Sequence, residues 1–229
     1  MKSGELKERF DMLNKALCIL SGGLDSAACL GWAVNNYNEV STIFFNYGQK
    51  TYSREAKCVK KLTQHFEIKD NQVIDIPWLS GFGVSGLFNQ DTFLDESNEK
   101  NEYVPFRNSI MLSIATAYAE SEKMDAIVIG STGGDHICPD NSPDFITAFQ
   151  ELIKNGTMIK TDITIEAPLI NGDKVTSIEL ATENNVPLQH TWSCHNNIEF
   201  ACGQCSNCRS RLDAFSIVSK DDPIKYERQ

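Results

Sequence analysis

Basic residues are scarce in this chain of 229 residues. Lysine and arginine together number 21 against 31 acidic residues, which gives a formal net charge of −10. Nucleic-acid-binding proteins usually present a basic stripe, so this balance argues against a phosphate-backbone partner and favours small-molecule substrates. The sequence also has no apolar run of about 18 residues, and its first fifteen residues are charged and amphipathic. Neither a membrane span nor a signal peptide is predicted, and we expect a cytoplasmic protein.

The sequence also lacks, in its glycine-rich loop, the lysine of a Walker phosphate-binding loop. Residues 21–26 read Ser-Gly-Gly-Leu-Asp-Ser, between an apolar run at Ala16–Leu20 and a helical pattern that extends to about Tyr37. No lysine follows the second glycine, so the Walker loop that transfers a terminal phosphate is disfavoured. Two glycines let the backbone approach an anion, and the next helix offers unpaired N–H groups and a positive dipole end. The alternative is a glycine turn whose helix is capped by Ser21 or Asp25 and binds no ligand.

The S-G-G-x-D-S pattern resembles the signature of the PP-loop ATP pyrophosphatases, which split ATP into AMP and pyrophosphate. A second glycine-rich stretch, at residues 130–136, follows a predicted strand and can approach a base or sugar, although surface turn chemistry explains it nearly as well. We predict that ATP is bound by Leu20, Ser21, Gly22, Gly23, Leu24, Asp25, Ser26 and Gly130.

Short apolar segments alternate with helical patterns along the chain. Strands are predicted at Leu17–Leu20, Val40–Phe45, Gln72–Ile76 and Ala126–Ile129, with an edge strand near Thr161–Ile165. Helices are predicted at Asp25–Asn36, Tyr52–Phe66, Ser109–Lys123, Pro143–Lys154 and Lys174–Asn184. The alternation predicts an α/β fold with a doubly wound, mainly parallel sheet, in one domain at 16–229 after a helical extension at 1–15. The ligand crevice should lie at the carboxyl ends of the strands.

The segment Trp78–Tyr103 has no clear period and is long for a loop in a compact domain. Such a segment indicates a lid, a binding loop or an oligomer contact. Disorder at Asp95–Asn101 is the alternative.

Four of the eight cysteines cluster near the end of the chain. Cys194, Cys202, Cys205 and Cys208 have C-x7-C-x2-C-x2-C spacing, which predicts a structural Zn²⁺ site within residues 190–210. An iron–sulfur cluster and a redox dithiol are the competing interpretations. His195 is interpreted as a bystander. The remaining cysteines, Cys18, Cys29, Cys58 and Cys138, are mostly expected to be small buried hydrophobic residues.

Two cations stand at predicted helix starts, where they oppose the helix dipole. Arg107 lies in Val-Pro-Phe-Arg-Asn at 104–108, and Lys174 follows Ala-Pro-Leu-Ile-Asn-Gly-Asp at 167–173. An anionic ligand would relieve this conflict. An ordinary ion pair for Arg107 and solvent exposure for Lys174 are the alternatives.

From about Ala16 to Phe215, the order of motifs resembles the QueC family of 7-cyano-7-deazaguanine (preQ0) synthases. The match consists of residues 21–26, the Tyr-x-Gln turn at 47–49, Val-Pro-x-Arg-Asn at 104–108, Pro139-Asp140 followed by Phe145, Pro-Leu-x5-Lys ending at Lys174, and the four cysteines. It implies a PP-loop (adenine nucleotide alpha hydrolase-like) fold, Mg²⁺, a homodimer and an AMP-forming carbon–nitrogen ligase. The carboxylate of 7-carboxy-7-deazaguanine would be adenylated, joined to ammonia and converted through the amide to the nitrile.

The resemblance also implies the site residues. Catalytic roles fall on Asp25, Ser26, Arg107 and Lys174, and substrate binding on Tyr47, Gln49, Asn108, Asp135 and Asp140. The chain departs from the family pattern in the acceptor half: Asn46 and Thr51 replace histidines, Phe106 replaces glycine and Ser142 replaces arginine.

These departures leave other functions open. The runner-up is a QueC-like defence paralogue that joins a deazaguanine-type group to another amine, such as one on a protein. A tRNA-modifying PP-loop enzyme should carry a basic face and free catalytic cysteines, which this composition disfavours. A non-enzymatic zinc-knuckle module does not explain the pyrophosphate loop.

Overall fold

Five parallel strands form a single sheet in the computed structural model, which describes residues 14–133, 138–158 and 162–227. The strands are β1 (Lys15–Ile19), β2 (Glu39–Asn46), β3 (Asn71–Asp75), β4 (Ala126–Val128) and β5 (Thr164–Glu166), in the order β3-β2-β1-β4-β5. The chain reverses direction across the sheet at β1, whose neighbours are β2 and β4. Ligand sites form at such a switch point.

Helices cover both faces of the sheet. They are α1 (Leu24–Asn36), α2 (Tyr52–His65), α3 (Arg107–Ser121), α4 (Pro143–Gly156), α5 (Lys174–Glu183) and α6 (Ser206–Ile217). Alternate residues of β1 enter opposite cores: Leu17 and Ile19 pack with α3 and α4, whereas Ala16 and Cys18 pack with α1 and α5. The continuous apolar run of β1 reflects this burial on both faces. The predicted doubly wound α/β fold is confirmed.

Most predicted elements lie where the sequence places them, with shifts of a few residues at their ends. The edge strand predicted at Thr161–Ile165 corresponds to β5, which starts three residues later and ends one residue later; Thr161 itself lies outside the described residues. The helical extension predicted at 1–15 falls mainly on residues 1–13, which also lie outside, and Lys15 already belongs to β1. Helix α6 was missed, because Cys205 before it and Cys208 within it were interpreted only as metal ligands. No helix in the described ranges is long and apolar enough to span a membrane.

The segment Trp78–Tyr103 is packed against the core. Short 3₁₀ helices occupy Pro77–Gly81 and Glu96–Glu102, and the side chains of Leu79, Leu87 and Leu94 are buried. Asp95 starts the second of these helices with a capping box. The residues 95–101, for which disorder was the alternative prediction, are therefore ordered. The segment therefore contributes to the framework of the site.

Arg211 of α6 is the largest fully buried side chain among the described residues. Its Nε and Nη2 atoms lie 2.7 and 2.9 Å from the two carboxylate oxygens of Asp222, and Nη1 lies 2.7 Å from Thr191 Oγ1. Tyr226 also donates its hydroxyl to Asp222. This network holds the stretch after α6 against Thr191, which follows a short 3₁₀ helix at Leu188–His190.

Replacing Arg211 with methionine should lower the free energy of unfolding by about 3–5 kcal/mol, because Asp222 would keep a buried charge without its partner. Chemical denaturation measures the change. The double variant Arg211→Met/Asp222→Asn removes both charges and should recover part of the loss. A single variant as stable as the parent would show that the pair adds nothing.

Candidate active site

The Ser-Gly-Gly-Leu-Asp-Ser loop joins β1 to α1 at the switch point of the sheet. Gly22 has a φ of +79°, and a Cβ there would lie 2.9 Å from the carbonyl oxygen of Glu55, so only glycine fits. Gly23 is the N-cap of α1, and among the described residues no side chain caps the first N–H groups of this helix. The capped turn considered above is therefore absent, and the helix start is free to bind an anion.

Serine side chains hold the loop in shape. Ser26 Oγ lies 3.0 Å from Ser21 Oγ, accepts from the Ser21 N–H at 3.2 Å and donates to the carbonyl of Gly23. A further bond fixes the loop from far along the chain: the N–H of Trp192 donates to the carbonyl of Gly22 at 2.9 Å. The loop is thus fixed without a ligand.

Gly130 and Lys174 meet this loop from β4 and α5. A Cβ on Gly130 would lie 2.8 Å from the backbone nitrogen of Ser26, so glycine permits the close approach of the two loops. Lys174 Nζ lies 2.6 Å from Asp25 Oδ2. The second oxygen, Asp25 Oδ1, is buried and has no hydrogen-bond partner in the part of the chain that the structure describes. The pair leaves one carboxylate oxygen available to a ligand or a cation.

A cavity of about 250 Å³ opens beside the loop. Its wall includes most of the residues selected from the sequence: Leu20, Ser21, Gly23, Leu24, Asp25, Ser26, Tyr47, Gln49, Arg107, Asn108, Gly130, Lys174 and Cys194. Gly22 and Asp140 are outside this wall, and Asp135 lies outside the described residues. The chain therefore brings the predicted nucleotide loop and both cations to one cavity.

Arg107 begins α3 and points toward Tyr47. Its Nη1 atom lies 3.2 Å from the Tyr47 hydroxyl, and its guanidinium carbon is 5.4 Å from the ring centroid. Burial raises the pKa of Tyr47 to about 12, so the phenol stays protonated. No ion pair to Arg107 occurs among the described residues, and the cation remains available to an anionic ligand.

Three polar residues predicted to bind substrate have their main contacts within the protein. The Gln49 amide accepts from the Tyr47 N–H and donates to Phe45 O and Glu55 Oε2. Asp140 Oδ2 accepts from the N–H groups of Asn108 and Ser109, which makes it the acceptor at the start of α3. The Asn108 amide in turn donates to Asp140 O. These contacts fix the cavity wall and the direction of Arg107.

Glu55 and His195 were missed as cavity residues, although both line it. Burial raises the pKa of Glu55, whose carboxylate accepts from Thr51 Oγ1 and Gln49 Nε2. His195 Nδ1 lies 3.0 Å from Glu102 Oε1. Burial alone would lower the pKa of His195, but the contact with Glu102 raises it. The nearby turn at 47–49, already predicted to bind substrate, could have indicated that Glu55 lies at the cavity. No local pattern could have indicated this for His195, whose partner Glu102 is 93 positions away.

The four clustered cysteines are all buried, and their sulfur atoms lie within 4.8 Å of one another. Backbone N–H groups point at two of them: those of Asn196 and Cys202 donate to Cys194 Sγ, and those of Gln204 and Cys205 to Cys202 Sγ. Such donors stabilise thiolates. The predicted site is confirmed as a cluster capable of holding a metal.

Asn196 ties this cluster to the rest of the protein. Its side chain exchanges two hydrogen bonds with the backbone of Leu94 and lies 3.4 Å from Cys202 Sγ. Its Oδ1 atom also accepts from the buried ammonium of Lys50 at 3.3 Å. The cysteine cluster, the segment 78–103 and the turn after β2 therefore support one another.

Comparison with known proteins identifies the family. The model of "Queuosine biosynthesis protein QueC" matches residues 15–219. The chain belongs to the QueC family. The QueC-family relatives include a 7-cyano-7-deazaguanine synthase of Methanospirillum hungatei, 35% identical over 93% of this chain and 99% of its own length. Another, from Aliarcobacter butzleri, is 40% identical over 93% of this chain and 96% of its own.

Among solved structures, the U34-tRNA thiolase NcsA from Methanococcus maripaludis with its [4Fe-4S] cluster covers 90% of this chain and 64% of its own, with a TM-score of 0.48 and 15% identity. No conclusion about the QueC-family chain rests on this likeness. The predicted enzyme class, a carbon–nitrogen ligase of the 7-cyano-7-deazaguanine synthase type, is confirmed by the family and its curated members.

Three of the four departures from the QueC pattern have a local hydrogen-bond partner. Asn46 donates to Asp75 at the end of β3, Thr51 donates to Glu55, and Ser142 caps α4 by accepting from Phe145 N. Phe106 precedes α3 in the left-handed conformation, with φ +56°, and its side chain is 64% exposed. The first three replacements are accommodated, but phenylalanine at Phe106 carries backbone strain.

Phe106→Gly should raise the free energy of unfolding by about 0.5–1 kcal/mol, because glycine adopts this conformation without a Cβ penalty. Phe106→Ala is the matched control, since it removes the same exposed ring and keeps the strain. Thermal denaturation of both variants separates the two effects. Equal stability of the alanine and glycine variants would show that the backbone here is unstrained.

Proposed function

We propose that the chain is an ATP-dependent ligase that makes a 7-cyano-7-deazaguanine-type nitrile. It would adenylate the carboxylate of a 7-carboxy-7-deazaguanine-type acid, condense it with ammonia to the amide and convert the amide to the nitrile with a second ATP. AMP and pyrophosphate are released. The uncapped start of α1 beside the Lys174–Asp25 pair carries this proposal, because it joins anion donors and a cation in one cavity. The names of the curated relatives support the substrate class.

The nucleotide end of the cavity would bind the β- and γ-phosphates as the leaving group. The free N–H groups at the start of α1 point to where these oxygens would lie, and the ammonium of Lys174 adds a positive charge there. Gly130 lets the β4 loop come close enough to contact the ribose or base. Because the loop is held by Ser21, Ser26 and Trp192, its donors need little reorganisation when negative charge develops.

Asp25 fits a role in holding Mg²⁺. Its Oδ1 atom is buried without a partner, and carboxylate oxygen is a preferred ligand of this ion. When bound, Mg²⁺ would neutralise charge on the departing pyrophosphate. Zn²⁺ would serve as a structural ion, since four thiolates leave no open position for a substrate.

The acceptor end of the cavity would bind the deazaguanine-type acid. Arg107 is the cation positioned for a carboxylate or for the α-phosphate of the adenylate, and Tyr47 orients it. Asn108 and Asp140 position Arg107 through the start of α3, and Gln49 holds the turn that carries Tyr47. Because both ends belong to one small cavity, the substrate acid and ATP would be held close together, which favours direct transfer of the adenylyl group from ATP to the acid.

We also infer a homodimer. The rings of Trp78 and Phe82 are in tilted contact, with a centroid separation of 5.5 Å; they are 51% and 57% exposed, and Val84, close in sequence, is 99% exposed. A second copy would remove this apolar surface from water. Light scattering of the intact chain tests the assembly, and a monomer at all concentrations would reject it.

Product analysis tests the function. The intact protein is incubated with ATP, Mg²⁺, 7-carboxy-7-deazaguanine and ammonia, and the products are separated by mass spectrometry. We expect AMP, pyrophosphate and the nitrile. Formation of ADP would reject the pyrophosphatase chemistry, and AMP without amide or nitrile would reject this acid–ammonia pair in favour of another acceptor.

A further inference from the structure

A second cavity, of about 580 Å³, lies beside Trp192. We call it the basic cleft. Helix α2 and the stretches around residues 189–192, 199–200 and 223–225 line it. Trp192 also lines the active-site cavity, so the two cavities share one side chain as a wall. The nucleotide chemistry proposed above uses none of the charged residues of the basic cleft.

The charge of the basic cleft is opposite to that of the protein. Its wall carries one acidic residue, Glu199, and five cations, Arg54, Lys57, Lys60, Lys61 and Lys225. The chain as a whole has a formal charge of −10. In the described part of the chain, no carboxylate lies within ion-pair distance of these five cations. A cleft lined by one sign of charge concentrates ions of the other sign.

Two residues of the cleft wall each have a buried nitrogen atom without a hydrogen-bond partner among the described residues: Trp192 Nε1 and His190 Nδ1. Trp192 is only 8% exposed, and leaving such a donor unpaired costs about 1–3 kcal/mol. An indole N–H can only donate, so its missing partner is an acceptor. Both the charge and the unpaired donor point to an anionic ligand rich in oxygen.

Arg54 is already held in position for such a ligand. Its guanidinium lies 4.6 Å from the centroid of the Trp192 ring and donates to the carbonyls of Ile198 and Glu199. A fixed cation loses less conformational entropy on binding than a free side chain. The cleft thus combines one cation held by hydrogen bonds with the ammonium groups of exposed lysines on α2 and at Lys225.

We propose that the basic cleft binds a small anion with two or more phosphate groups. Its volume falls within the range of about 300–1,000 Å³ that is usual for small-molecule sites. A long polyanion would also lie against the acidic surface outside the cleft, where like charges repel at short range, whereas a compact anion contacts only the cleft. Bound anion would alter the surroundings of Trp192, and the indole fluorescence would report it.

Tripolyphosphate is a suitable probe, and the intact protein is titrated with it by calorimetry and tryptophan fluorescence. The cleft variant Lys57→Glu/Lys61→Glu is compared with Lys69→Glu/Lys100→Glu, which makes the same change of charge at exposed lysines outside the cleft. We expect two binding sites in the parent, at the loop and in the cleft. The cleft variant should lose one site or bind there at least about tenfold more weakly, and the control should change less than about twofold.

Several results would overturn the proposal. One is equal binding by the two charge-reversal variants when their thermal stabilities match the parent. Another is a single site that the Lys174→Met substitution abolishes, because the probe then binds only at the pyrophosphate loop. A short single-stranded oligonucleotide that binds more tightly than tripolyphosphate and competes with it would assign the cleft to nucleic acid. These readouts do not require the ligase reaction, so they stand apart from the test of the proposed function.

Discussion

Replacing Lys174 with methionine should reduce the rate of AMP formation about 10³-fold. The variant keeps much of the apolar stem of the side chain. It removes the ammonium group, which lies 2.6 Å from Asp25 in the loop at residues 21–26. A preorganised charge that stabilises a developing anion contributes on this scale, equivalent to about 4 kcal/mol. Steady-state kinetics with varied ATP measure it, and the loss should fall mainly on kcat.

Lys174→Arg and Asp25→Asn separate charge from geometry. Arginine keeps the positive charge and should retain more activity than methionine, whereas Asp25→Asn keeps Lys174 and removes the proposed Mg²⁺ ligand. That second variant should raise the Mg²⁺ concentration needed for half-maximal activity. A methionine variant within about threefold of the parent would show that Lys174 acts only as a solvated surface residue.

Replacing Cys208 with serine should abolish metal binding and unfold the region around the cluster. The Cys208 thiol is fully buried among the other three, and structural zinc sites provide on the order of 10 kcal/mol of apparent binding free energy. Because Asn196 joins the cluster to Leu94 and Lys50, the segment 78–103 should loosen with it. Metal analysis and hydrogen exchange measure the two effects.

Cys58→Ser is the matched control, since it makes the same change at a buried thiol outside the cluster. It should cost about 1–3 kcal/mol and leave the metal content unchanged. One zinc per parent chain is the expected composition. Several irons with visible absorption would instead identify an iron–sulfur cluster.

The parts of this protein that sequence reasoning predicted well are those with local physical causes. The apolar run of β1 and the glycines after it specify a strand, a tight turn and a helix start within a few residues. The spacing of Cys202, Cys205 and Cys208 likewise brings thiols together through a short turn. Such features need no knowledge of distant contacts.

Contacts between residues far apart in the chain could not be predicted, because the sequence around one partner does not indicate the other. Asp140 and Asn108 were both interpreted as substrate ligands, yet they bond to each other, Asn108 from the first turn of α3 and Asp140 from the short 3₁₀ helix at Pro139–Asn141. Glu102 meets His195 only after the segment 78–103 has packed against the cysteine region. In each case the tertiary fold decides whether a polar side chain faces the cavity or pairs with a polar group of a neighbouring residue.

The hydrogen bond from Trp192 to Gly22 affects how the enzyme is made. The two residues are about 170 positions apart in the chain, yet Trp192 holds in place the loop that contains Gly22. At roughly 5–20 residues per second, a ribosome needs about 10–30 s to reach the tryptophan after making the loop. During that interval the nascent protein has the turn proposed to bind phosphate but not the hydrogen bond from Trp192 that fixes it. Activity should therefore appear late in synthesis, once the cysteine region has emerged and folded.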